Sequence, residues 1–87
     1  MAKQVASNET GTTDKIHYGT VSETFHLYVD FVSPGDVEME ASPDGGNTWF
    51  SVSGVSISDS SLTALDSSPS VFRLVAKNGA EFNAWVE

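Results

Sequence analysis

Residues 24–42 read TFHLYVDFVSPGDVEMEAS, and the fold class follows from their spacing. Phe25, Leu27, Val29 and Phe31 alternate with Thr24, His26, Tyr28 and Asp30. Successive side chains of a strand point to opposite faces, so this alternation predicts a strand with one buried and one wet face. Ser33, Pro34, Gly35 and Asp36 predict a turn, since Pro presets φ and Gly permits positive φ. Val37, Met39 and Ala41 then alternate with Glu38, Glu40 and Ser42, a second strand with an acidic outer side.

The same grammar continues in both directions. Asp44, Gly45, Gly46 and Asn47 signal a hairpin. Thr48 to Val52 follows as a strand carrying Trp49 and Phe50, and Val55 to Ser58 as a shorter one. Asp59 to Ser70 is rich in Ser and reads chiefly as loop, with room for one helical turn around Leu62 and Leu65. Val71 to Ala76 and Glu81 to Val86 are two strands joined at Asn78-Gly79, a pair suited to a type I′ hairpin turn. Phe72, Leu74, Phe82 and Trp85 are expected to help fill the core. Ile16 to Val21 supplies one more strand. Residues 1–14 are polar and read as a flexible N-terminal arm, either a floppy end with no role or a segment that orders on a partner, with Lys3, Gln4 and Val5 as its contact residues. Residues 15–87 then form one domain. No amphipathic helix is written anywhere, and strands recur at spacings near ten residues. The expectation is an all-β antiparallel sandwich of six or seven short strands, Ig-like or jelly-roll-like.

Composition bounds the function. The chain has 87 residues, twelve Asp and Glu against four Lys and Arg, and a formal charge of −8. That charge repels phosphate backbones and anionic bilayers, so neither nucleic acid nor a membrane is an expected partner. No stretch approaches the ~20 apolar residues needed to span a bilayer as a helix. Cys is absent, which removes thiolate metal sites, redox chemistry and disulfides. A core this small without cross-links gains from association, so a homo-oligomer, with a trimer as one arrangement, is expected.

Candidate sites are few. Ser42-Pro43-Asp44-Gly45-Gly46-Asn47-Thr48-Trp49 matches S-x-D-x-G-x-T-W at Ser42, Asp44, Gly46, Thr48 and Trp49. This pattern resembles the Asp-box of sialidases and related repeat proteins. The resemblance implies a structural hairpin staple and no catalysis. Glu38 and Glu40 lie about 6.6 Å apart on one side of a strand. That separation suits glycosidase carboxylates, but two solvated residues on an outer face are the simpler reading. His17 and His26 show no metal spacing, and Asp44 lacks the alternating ligands of an EF-hand calcium loop, which leaves a fortuitous cation site formed with Asp36, Asp59 or Asp66 as the alternative. No nucleophile elbow or phosphate loop is present. No catalytic, cofactor or metal residues are therefore assigned. Tyr28, Trp49, Phe50 and Trp85 could form a sugar-stacking platform, though aromatics in a small β domain are more often core.

Residues 37–86 resemble small virion proteins of bacteriophages, carried by Ser42 to Trp49 and by Val71 to Val86, which read VFRLVAKNGAEFNAWV. The resemblance implies a non-enzymatic capsid cement or decoration protein, or a tail component. Such a protein is made in the host cytoplasm, resides in the virion and binds the major capsid protein or another virion protein. The alternative is a carbohydrate- or receptor-binding sandwich module.

Overall fold

The computed structural model describes residues 2–17, 25–65 and 69–87. Among these, eight strands occur in the order β1 (Lys3–Glu9), β2 (Ile16–His17), β3 (Phe25–Ser33), β4 (Asp36–Ala41), β5 (Phe50–Ile57), β6 (Ser61–Leu65), β7 (Val71–Lys77) and β8 (Glu81–Val86). Two four-stranded antiparallel sheets pack together, one ordered β1-β8-β3-β6 and the other β2-β7-β4-β5. The protein is therefore an all-β sandwich, with eight strands among the described residues where six or seven were expected.

The order settles the topology. β1 pairs with β8, β2 with β7, β3 with β6 and β4 with β5. These are the rungs of one long ribbon folded at the β4–β5 loop. The ribbon rolls up so that β3 also meets β8 and β4 also meets β7. A rolled ribbon of eight strands in two sheets is the jelly roll, so the Ig-like alternative falls away.

The core lies between the sheets, and period-two alternation supplies it. Phe25, Leu27 and Val29 of β3 face Val37 and Met39 of β4 and Phe72 and Leu74 of β7, all buried. Phe82, Ala84 and Val86 complete it from β8. The Phe25 and Phe72 rings meet edge to face at 5.5 Å, the favoured geometry for two aromatic quadrupoles.

Several expectations need correction. The N-terminal segment is not an arm. Lys3–Glu9 is strand β1 on β8, with Lys3 opposite Val86 and Gln4 opposite Trp85. Gly11 to Thr13 then runs along β7. Thr13 N–H donates to Leu74 O at 2.9 Å, Leu74 N–H to Thr13 Oγ1 at 3.0 Å and Ala76 N–H to Gly11 O at 2.8 Å. An edge strand needs backbone partners and only a few apolar side chains, here Val5 and Ala6, so its polar sequence reads as a tail. Register shifts along β1 and a positive φ at Asn8 mark bulges that break its alternation.

Asn78 and Gly79 do adopt the left-handed pair of a type I′ turn, with φ of 58° and 83°. Yet β7 and β8 belong to different sheets, so this turn crosses the sandwich and is no hairpin. The Pro34-Gly35 turn crosses it likewise, from β3 to β4. The two short strands expected at Thr48–Val52 and Val55–Ser58 are the single strand β5. A register shift there sets residues 52–55 opposite Met39, because Glu38 pairs Ser56 and Glu40 pairs Ser51. Ser61–Leu65 is an edge strand on β3, not a loop or helical turn. Of the strand expected at Ile16 to Val21, Ile16–His17 is β2. Its remainder, like Thr24 and Asp66, lies outside the described residues.

Candidate functional site

The loop between β4 and β5 is built around two oxygens. Ser42 Oγ accepts N–H bonds from Asp44 at 3.3 Å and Gly46 at 2.8 Å, and donates its own proton to Asp44 Oδ1 at 2.8 Å. Asp44 Oδ1 also accepts the N–H groups of Asn47 at 3.1 Å and Thr48 at 2.8 Å. The Ser42 and Thr48 bonds lower the Asp44 carboxyl to about 2, since each favours the charged form. Gly46 holds φ at +111°, where a side chain would be strained and a Cβ would press on Lys15 Cδ at 3.1 Å. The Trp49 indole N–H closes the loop on Gly46 O at 3.1 Å. Lys15 Nζ reaches Gly45 O at 3.1 Å and ties β2 to the loop. Ser42 Oγ and Asp44 Oδ1 thus bond each other and four backbone N–H groups of the loop, the work of a hairpin staple.

Trp49 does not enter the core. Its ring lies under the Arg73 guanidinium, 4.1 Å from the centroid, and Arg73 Nε donates to Glu40 Oε1 at 2.7 Å. Glu40 and Arg73 are cross-strand partners on β4 and β7. This stack occupies the outer face of the second sheet. Glu40 is thereby an ion-pair member. His17 and His26 lie on different sheets, and no three His, Asp or Glu side chains converge on a metal position among the described residues.

The outer face of the first sheet is different. Trp85 is not in the core either: Phe82, Ala84 and Val86 face inward, so Trp85 faces outward. Tyr28 lies directly opposite it on β3, Gln4 opposite it on β1, and Leu62 opposite Tyr28 on β6. Gln4, Trp85, Tyr28 and Leu62 thus form a row across all four strands, with Leu62 54% exposed. The Tyr28 hydroxyl donates to the Glu87 carboxylate, and that bond is the main reason the phenol is held above its ordinary range. A depression of about 330 Å³ opens beside the rings, lined by Ala2, Tyr28, Val29, Asp30, Ser61 and Trp85. That is the lower end of the size range of ligand pockets, about 300–1,000 Å³. Asp30 is steadied at its rim by Ser60, whose Oγ donates to Asp30 Oδ1 at 3.3 Å and accepts the Phe31 N–H at 2.9 Å.

The expected contact residues Lys3, Gln4 and Val5 are therefore strand residues, and Gln4 belongs to the aromatic row. A second depression, of about 340 Å³, runs beneath them between β1 and the Asp14–His17 segment. The row was partly readable in the sequence. Trp85 and Phe82 are three residues apart and cannot share a face of one strand. What no local pattern shows is that β8 lies beside β3.

No protein-family model, no curated protein and no solved structure matches the chain. The fold and the two outer faces therefore define it only as a small jelly roll. On one face the outward indole is covered by Arg73, and the other face presents an aromatic row.

Proposed function

We propose that the chain is a non-enzymatic structural subunit of a phage particle, which binds the assembled capsid as a cement or decoration subunit. The observation that carries this reading is the outward row Gln4, Trp85, Tyr28 and Leu62. Rigid aromatic anchors beside an exposed aliphatic are what a protein contact face uses, and Trp and Tyr are enriched among its strongest contributors. The particle context comes from the sequence resemblance, and fold alone does not choose a function. Binding of many copies at the seams of a shell stabilises the assembled state by mass action. The partner is the major capsid protein or another virion protein, with self-association into a symmetric oligomer, such as a trimer, as part of the same reading.

A second reading is favoured by the same rings: a carbohydrate- or receptor-binding module, for which exposed Tyr and Trp faces are a natural platform. The test of the first is quantitative mass spectrometry of density-purified particles. A copy number near that of the shell protein supports the cement role, and a handful of copies moves the subunit to the tail. Absence from the particles overturns the virion reading.

A further inference from the structure

We propose that the depression beside Tyr28 and Trp85 receives an arginine side chain of a partner protein, its guanidinium lying on the rings with Asp30 as counter-charge. The inference rests on the reading of this face as a docking surface, and it names the chemistry the partner must bring.

Four observations lead to it. The two rings are half-buried neighbours on adjacent strands, and the Tyr28 hydroxyl is tied to Glu87, so the platform is fixed before anything binds. The lining then offers acceptors and few donors. Ser61 Oγ donates to Asp59 O at 2.9 Å and Tyr28 donates to Glu87, which leaves the Trp85 indole as the side-chain donor. A sugar ring needs both donors and acceptors around its hydroxyls, whereas a guanidinium carries five donors and no acceptor.

Charge points the same way. The lining contains Asp30 and no Lys or Arg, in a chain of net charge −8. A cationic partner is drawn to such a surface, and a cation over Trp or Tyr gains further from the ring quadrupole. Finally, the opposite sheet shows the same arrangement already filled. There Arg73 lies 4.1 Å from the Trp49 centroid with the Glu40 carboxylate at 2.7 Å. In both places an outward indole lies near a carboxylate of the sheet: Trp85 of β8 beside β3, which carries Asp30, and Trp49, in the loop just before β5, beside β4, which carries Glu40. Only on the second sheet does the chain supply the arginine itself. Leu62, exposed beside Tyr28, gives apolar cover for the aliphatic stem that carries a guanidinium.

The test is an NMR titration of the full ¹⁵N-labelled chain with N-acetyl-arginine amide, N-acetyl-lysine amide and methyl glucoside, at low and high salt. The arginine amide is expected to give weak, saturable shifts of the Trp85 indole and of Tyr28 and Asp30, reduced by salt. It should bind better than the lysine amide, because only the planar fork stacks. Asp30→Asn, at an exposed position, is expected to weaken binding about tenfold, the worth of one charge-assisted hydrogen bond. Trp85→Ala is expected to abolish it. Absence of saturable shifts overturns the proposal, as does an unchanged affinity in Asp30→Asn. Shifts of the same residues by the glucoside instead of the arginine amide overturn it in favour of a sugar site. Arginine binding by a protein absent from particles would sink the particle reading alone. Particle attachment that survives Trp85→Ala would sink the arginine site alone.

Discussion

Gly35→Ala tests the packing that makes the sandwich a jelly roll. Gly35 sits in the turn that carries the chain from β3 to β4, and Ala80 follows the turn that carries it from β7 to β8. These two crossings stack at one end of the molecule. A Cβ on Gly35 would lie 2.6 Å from Ala80 Cβ, from Ala80 N and from Lys77 O. Contacts below 3.4 Å already force neighbours to give, so one turn must retreat by about 0.8 Å (3.4 − 2.6). Forcing a methyl into a filled site costs about 1–3 kcal/mol. Retreat also stretches the Ala80 N–H to Lys77 O bond, 3.2 Å long, worth about 1 kcal/mol more. The sum is about 2–4 kcal/mol, against a total stability of about 4–13 kcal/mol for a chain of this length. Urea unfolding followed by circular dichroism measures it, and the melting temperature should fall by at least about 10 °C. The double variant with Ala80→Gly should recover only part of the loss, because it removes the Cβ contact and leaves both backbone contacts. A loss under about 0.5 kcal/mol for Gly35→Ala would refute the stacked-turn reasoning.

Three further outcomes are expected. Phe72→Ala should destabilise by about 3–5 kcal/mol, because it empties a fully buried position and removes the edge of the Phe25 pair; equilibrium unfolding reads this directly. Trp85→Ala should cost about 1 kcal/mol or less by the same assay, since the ring faces outward, and a core-sized loss would place it inside after all. Asp44 is depressed to about 2 from an ordinary 3.8, so its contribution is complete above pH 3.8 and drains away as pH falls through 2. The urea midpoint of Asp44→Asn should therefore lie below that of the parent at neutral pH, with the gap narrowing between pH 4 and 2.

The strands with strict alternation were legible because burial on one face dictates their pattern. Phe25 to Phe31 and Val37 to Ala41 belong to this group. What stayed hidden was decided by partners far away in sequence. β1 and β6 are edge strands, held by pairing with β8 and β3, and their side chains carry little of the signal. Leu62 and Leu65 are spaced for one helical turn, yet Leu65 packs on the core and Leu62 faces solvent. Asn78-Gly79 shows the limit of turn chemistry. The pair fixes a left-handed reversal, and the reversal is found, but nothing local says whether the next strand joins the same sheet or crosses to the other. Among the described connections, β4 to β5 is the hairpin between paired consecutive strands. It is also the one whose loop spends a Ser, an Asp and a Trp on its own backbone.

The candidate site divides along the same line. Its components were readable from parity, since Tyr28 alternates with the buried Leu27 and Val29, and Trp85 with Ala84 and Val86. Their meeting was not, because it needs β3 beside β8, a pairing across more than fifty residues. Parity also supplies the functional argument. A ring that serves only folding gains most by facing inward, where Phe25, Phe72 and Phe82 already fill the space. On the second sheet the outward indole is covered by Arg73. On the first, Tyr28 and Trp85 flank an open depression with a carboxylate at its rim, and no Lys or Arg of the chain lines it. A surface of that kind is most stable when a cation from elsewhere completes it. The proposed arginine contact draws on the same net charge of −8 that repels phosphate backbones.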